Sequence, residues 1–272
     1  MDSDLEMVSR SDTGRVRTHN EDAVHIDPLR GMAILADGMG GYNAGEVASS
    51  MVTELLCGVL EQSWALGGRD RRDAARSAAE AGIAHANNAV YTAAQSQSQF
   101  AGMGTTLVMA LFHGDAVTVA HVGDSRLYRL RGGELALLTH DHSLLQEQLD
   151  RGILNAEEAR HAQHKNLVTR AIGVDPEVEP EIASHELRKG DIYLLCSDGL
   201  NDMLEDADIA ATLRAGARHL GAAATALVQR ANDSGGQDNV SVILVRIGGG
   251  PAPGWLSRVI AWFGRRPGVP KQ

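Results

Sequence analysis

The sequence predicts an α+β layered domain, and three observations predict it. Strand-like segments come in pairs, helical segments come in pairs between them, and 43% of the 272 residues are apolar. Strands alternating one by one with helices would instead indicate a doubly wound parallel sheet. The apolar fraction supplies a substantial core for a chain of this length. The domain is expected over residues 1–247, followed by a Gly/Pro linker at 248–254 and an amphipathic tail at 255–272.

The polar segment Ser11 to Asp22 reads as a loop leading into a short alternating strand, Ala23 to Asp27. The next strand closes as Ile34-Leu35-Ala36-Asp37-Gly38-Met39-Gly40-Gly41, an apolar run ending in a carboxylate and glycines. From Ala44 to about Leu66 the residues Val47, Ala48, Met51, Val52, Leu55, Leu56, Val59 and Leu60 recur every three or four positions, which places them on one helix face. An alanine-rich helix from about Asp70 to Gln95 follows the Gly67-Gly68 break.

Residues Gly104 to Leu138 change to β character. Thr105 to Phe112, Ala116 to Val122 and Arg126 to Leu130, around turns at Gly114 and Gly132-Gly133, predict an antiparallel meander. Thr139 to Pro180 is polar and rich in His, with short helical pieces at Ser143 to Asp150 and Ala156 to His161, and Asp141 as the N-cap of the first. A strand ending Leu194-Leu195-Cys196-Ser197-Asp198-Gly199 precedes two helices, Asp206 to Gly216 and His219 to Asn232. The last strand, Val240 to Val245, follows Asp238-Asn239.

Composition excludes several classes of function. A net charge of −10 with three scattered lysines argues against nonspecific nucleic-acid binding. The acidic start lacks the basic flank and apolar stretch of a signal peptide, and no apolar run approaches a membrane span, so a cytoplasmic location is expected. Cys57 and Cys196 form neither a disulfide framework nor a zinc spacing, and reduced thiols are expected. His161 and His164 have no Glu beside them as in a zinc-protease helix, and read as surface residues. On a helix, Trp255, Val259, Ile260, Trp262 and Phe263 form an apolar face beside Arg258, Arg265 and Arg266. Such a tail suits a membrane surface or a partner groove, and folding back on its own domain is an equal alternative.

Asp37, Asp198 and Asp238 all sit at strand ends, with Glu21, Asp22 and Asp124 as further acids. Asp-Gly after a strand is also a turn signal, so any one of them alone reads equally well as a tight turn. If the strand ends converged, the carboxylates would repel one another unless a cation joined them. Oxygen ligands without His or Cys suit Mg or Mn, and glycine at Gly38 would let a backbone carbonyl approach the ion. Two ions sharing one carboxylate lower the pKa of a water and hold it for in-line attack on phosphorus, leaving Arg17 to bind phosphate oxygens. No P-loop or G-x-S-x-G elbow is present, and Asn43 stands where a dinucleotide fingerprint needs Gly.

Six ordered motifs carry a resemblance: Gly14-x-x-Arg17-x-x-Asn20-Glu21-Asp22, Ala36-Asp37-Gly38-Met39-Gly40-Gly41, Gly102-Met103-Gly104-Thr105-Thr106, Gly123-Asp124-Ser125-Arg126, Ser197-Asp198-Gly199-Leu200 and Asp238-Asn239. From about Val8 to Ile247 the chain resembles the metal-dependent type 2C protein phosphatases in their bacterial single-domain form. The resemblance implies a four-layer sandwich of two antiparallel β-sheets flanked by helix layers, with a metal site at one end. It implies hydrolysis of phosphoserine and phosphothreonine on proteins, opposing a bacterial Ser/Thr kinase that can itself be a substrate. A regulatory phosphoprotein-binding module of the same fold is the alternative.

Two Mg or Mn ions are implied, with Asp37 bridging them, Asp198 and Asp238 completing the first, and the Gly38 carbonyl touching the second. A third, weaker ion would use Asp124 with Asp198. Glu21 and Asp22 would act through metal-bound waters, with Asn239 among the supporting residues, and Arg17 would bind phosphate. The Thr139 to Pro180 stretch matches a flap that influences substrate choice. Many members have His after Asp-Gly-Met-Gly-Gly as proton donor to the leaving group. Here Tyr42 takes that place, leaving the donor to Tyr42 or a metal-bound water.

Overall fold

The computed structural model describes residues 5–41, 44–65, 72–155, 158 and 167–248. Eleven strands among them form two antiparallel sheets. The first has the order β1 (Leu5–Asp12), β11 (Val240–Ile247), β10 (Ile192–Cys196), β7 (Arg126–Arg131), β8 (Glu134–Leu137). The second runs β2 (Asp22–Asp27), β3 (Met32–Met39), β5 (Leu107–His113), β6 (Ala116–Val122), β9 (Glu181–Glu186), with the short β4 (Gly104–Thr105) added to the end of β3.

Strands β5, β6 and β11 are buried along their whole length, as expected of strands covered on both faces. Between the sheets lie Leu35, Val108, Phe112, Leu127, Tyr193 and Ile243, with Phe112 and Tyr193 in edge-to-face contact at 5.4 Å. The outer face of the second sheet packs on α1 (Ala44–Ala65) and α2 (Arg72–Ser96). Ala48, Val52, Leu56 and Leu60 form the buried ridge of α1, four residues apart. The outer face of the first sheet packs on α5 (Asp206–Gly216) and α6 (Leu220–Asp233), through Leu213, Ala224 and Leu227. The α+β four-layer sandwich of two antiparallel sheets flanked by helices is therefore the observed architecture.

Several local expectations need correction. The β region after Gly104 is not one meander: β5 and β6 pair in the second sheet, β7 and β8 in the first. The chain changes sheets at Gly123-Asp124-Ser125, where Gly123 has φ +102° and lies so close to Thr106 that a Cβ would come 2.7 Å from the threonine Cβ. Hydrophobic alternation shows that strands exist but not which partner they choose. The N-cap of α3 (Leu144–Asp150) is Ser143, whose hydroxyl accepts from Gln146 N, and not Asp141. Asp141 instead accepts from Arg126 Nε and Nη2, at 3.0 and 2.7 Å, a stronger charged partner than a helix-end amide. Ser11 and Asp12 belong to β1 rather than to a loop, and β9, with mixed polar composition, carries no strand signal of its own. A helical turn, α4 (Asp198–Asn201), begins at Asp198 itself. The helical piece expected at Ala156 to His161, apart from Glu158, lies outside the described residues, as do His164, Tyr42 and the 255–272 tail.

Candidate active site

The two sheets bring four strand ends to one edge of the sandwich. β10 and β11 are antiparallel neighbours, so Asp198 just after β10 and Asp238 just before β11 emerge side by side. Asp37 near the end of β3 and Asp124 just after β6 emerge at the same edge from the second sheet. A cavity of about 320 Å³ opens there, lined by Arg17, Glu21, Asp37, Gly38, Asp124 and Asp198, together with Asp238 and Asn239. Met39, Gly40, Thr106 and Val168 also line it.

Each acid is held by its own local structure. The Asp37 N–H donates to Thr106 Oγ1 at 3.1 Å, and its carbonyl accepts from Thr106 N and Thr105 Oγ1, both at 2.8 Å. Asp22 lies behind the cavity as the direct cross-strand partner of Asp37, and its Oδ2 accepts from Ser197 Oγ at 2.9 Å. Asn239 joins the start of β11 to the loop that carries Arg17 and Glu21. Its Oδ1 accepts from Glu21 N at 2.7 Å, and its Nδ2 donates to the carbonyls of Thr13 and His19, each at 2.9 Å. Arg17 donates to Asp238 Oδ2 at 2.7 Å, with its side chain 54% exposed at the cavity mouth. At Gly38 a Cβ would meet the Gly45 carbonyl oxygen at 2.1 Å and the Glu21 carbonyl oxygen at 2.6 Å, so only glycine fits between these backbones.

The electrostatics are those of crowded acids. Burial, followed by the neighbouring charges of Asp22 and Asp198, holds the Asp37 carboxyl well above its ordinary range. Burial and then Asp124 do the same to Asp198. Burial pushes Asp22 to about 6, and burial with Asp141 pushes Asp124 to about 7. Glu21 is raised by burial. Among the described residues, one carboxylate oxygen each of Asp198 and Asp22 is buried without a hydrogen-bond partner. A buried carboxylate oxygen with no donor is satisfied by a cation, and an all-oxygen donor set selects a hard one, so these residues fit Mg or Mn.

Every site residue expected from the sequence that lies in a described segment is found at this edge, with Asp22 beneath the cavity and the others lining it. Thr106, Ser197 and Val168 were not assigned roles from the sequence. The first two stand inside quoted motifs, and their side-chain partners are the only further signal. Val168 belongs to a segment with no periodicity to read.

A two-sheet sandwich with an acid-lined cavity fit for divalent cations at one edge defines the class to which this structure belongs. The protein phosphatase 2C family model matches residues 13–232, and the chain belongs to that family. It is 37% identical over 239 residues to the serine/threonine phosphatase stp of Listeria innocua, covering 87% of this chain and 93% of that protein. The crystal structure of the Mycobacterium tuberculosis serine/threonine phosphatase PstP/Ppp is similar with TM-score 0.80 and 38% identity, covering 90% of this chain and 99% of that one. The catalytic domain of PstP in complex with two manganese ions has TM-score 0.79 and 36% identity, with the same coverage.

Proposed function

We propose that this protein hydrolyses phosphoserine and phosphothreonine on proteins, opposing a Ser/Thr kinase in the cytoplasm. The observation that carries the reading is the meeting of Asp37, Asp124, Asp198 and Asp238, from four distant segments, on one cavity with Arg17 at its mouth. The named relatives, serine/threonine phosphatases that include a two-manganese structure, support the same reaction.

Asp37, Asp198 and Asp238, with the Gly38 carbonyl, would hold two divalent ions, and Asp124 with Asp198 a third. Bound there, such ions supply a nucleophilic water at neutral pH and positive charge for the phosphate oxygens.

The remaining chemistry falls to this chain's side chains. Arg17 offers its guanidinium fork to two phosphate oxygens, a geometry lysine cannot reproduce. Glu21, lining the cavity, and Asp22, beneath Asp37, would orient waters on such ions. Asn239 fixes the loop that presents Arg17 and Glu21, so it acts on substrate only through them. The test is turnover of para-nitrophenyl phosphate and of a phosphothreonine peptide with Mn, with chelator, and in Asp37→Asn. Activity that needs the metal and disappears in the variant supports the reading. A folded, Mn-loaded wild-type protein without turnover overturns it.

A further inference from the structure

His142 is buried behind the cavity wall, where three segments meet. Its backbone N–H donates to the Gly123 carbonyl at 3.0 Å, and its own carbonyl accepts from Thr169 N at 2.8 Å. Its ring Nδ1 lies 3.1 Å from Gly123 N. One residue therefore holds Gly123 at both its N–H and its C=O. The ring stacks on buried His121, with centroids 4.8 Å apart.

The tautomer follows from which donor has an alternative. Burial, His121 and Arg170 push His142 down to about 3, so its ring is neutral at working pH and has one acceptor nitrogen. Gly123 N–H points at Nδ1, while Arg170 Nη1 lies 3.2 Å from Nε2. Arg170 Nη1 also donates to the Glu179 carbonyl at 3.0 Å, whereas the Gly123 N–H has no second acceptor among the described residues. Leaving a buried amide unpaired is costly, so Nδ1 is the acceptor and Nε2 carries the hydrogen. His121 Nε2 lies 2.8 Å from the His140 carbonyl, which only accepts, and 3.4 Å from the His140 N–H, and the shorter contact assigns a hydrogen to it.

The ligand atoms of His121, His142 and Glu181 lie within 4.8 Å of one another, the spacing of a metal triad. With both Nε2 atoms protonated and His142 Nδ1 already engaged, the cluster is a hydrogen-bonded clamp and not a metal site.

Two paths lead from the clamp to the cavity. Gly123 precedes Asp124 and packs on Thr106, the residue that holds the Asp37 N–H. Thr169 follows Val168, which lines the cavity and pairs with Ser143 in an isolated β-bridge. We propose that His142 is a positioning residue for the phosphatase reaction: it locks the wall segment carrying Val168 to the loop carrying Asp124, so that the substrate-facing wall and the acid are placed together.

The proposal rests on the phosphatase reading and is tested in the same Mn-dependent assay with three variants. An asparagine places its amide oxygen near the position of Nδ1, and a glutamine places its amide near Nε2. His142→Ala and His142→Gln are expected to lose ~10-fold in kcat and to need more Mn for half-maximal activity, the scale seen when a supporting partner of a metal site is removed. His142→Asn is expected to recover most of both. Thermal melts of all three separate these effects from loss of fold, and if the alanine variant does not fold, the Asn–Gln comparison decides. Equal activity and equal Mn midpoints in the Asn and Gln variants, or a folded alanine variant with wild-type values, overturn the proposal. An inactive wild type would instead defeat the phosphatase reading itself.

Discussion

Asp22 and Asp37 face each other as direct cross-strand partners on β2 and β3, two carboxylates in register, Asp37 lining the cavity and Asp22 beneath it. Like charges directly opposite on neighbouring strands are destabilising. The pair persists here inside a fold that holds both above the ordinary carboxyl range. Stability is thus given up at the same position where divalent cations are attracted.

A pH dependence follows, with a definite sign. These carboxyls have higher pKa values folded than unfolded, so the folded state binds more protons and stability falls as pH rises. The fall begins near ~4, the unfolded value. It continues as Asp22 ionises at about 6 and Asp124 at about 7. In chelator, the urea midpoint is expected to be lower at pH 8 than at pH 5, and saturating Mn should remove much of the difference. A midpoint that rises over this window without metal would contradict the electrostatic account.

Arg17 touches Asp238 at the rim, with side chains 54% and 32% exposed. An exposed pair of this kind contributes about 0–1 kcal/mol to stability, so its loss is expected to leave the melting temperature nearly unchanged. The proposed phosphate contact is different: Arg17→Ala should raise KM for a phosphopeptide by ~10-fold or more, and Arg17→Lys should restore only part. Steady-state kinetics beside a thermal melt reads both, and an unchanged KM would remove Arg17 from substrate binding.

The Arg126–Asp141 pair is more enclosed, at 25% and 10% side-chain exposure, and Arg126 Nη1 also donates to Tyr128 OH. Arg126→Ala leaves Asp141 enclosed without its charge partner and is expected to cost about 3 kcal/mol in urea unfolding. Arg151→Ala, which breaks a pair with Glu147 at 69% and 41% exposure, should cost below ~0.5 kcal/mol. Equal costs would show that enclosure is not what decides the difference.

Gly38→Ala would drive a methyl group into two backbone carbonyl oxygens that no side-chain rotation can move aside. The expected outcome is loss of Mn-stimulated activity together with a lower melting temperature. The control is Gly41→Ala, whose Cβ meets nothing within 4 Å. A fully active Gly38→Ala protein would mean that these backbones can separate without cost.

Much of this was legible in the sequence, for identifiable reasons. Asp37, Asp198 and Asp238 stood out because each interrupts or borders an apolar run, and the helix faces stood out because Ala48, Val52, Leu56 and Leu60 keep strict spacing. The change of sheet at Gly123 was not legible, since β6 and β7 both read as short strands joined by a turn and only tertiary packing separates them. Asp141 misled because a carboxylate two residues before a helix resembles a cap, while its actual partner, Arg126, lies fifteen residues earlier. The hold of His142 on Gly123 could not be read at all, because its ring Nδ1 and its N–H both engage backbone atoms of Gly123, which every residue carries.

Strand β11 lies between β1 and β10 and pairs with β1 from Leu5 to Asp12. A nascent chain on the ribosome therefore has its first strand long before the neighbour that strand requires. Asp238 and Asn239 enter with that late strand, and Asn239 anchors Glu21 near the opposite end of the polypeptide. Folding must wait for contacts of very large sequence separation, which are slow to form. The catalytic edge is thus assembled last, and a chain interrupted before Asp238 is left without an acid, without the clasp on its first loop, and with an open sheet edge for chaperones to shield.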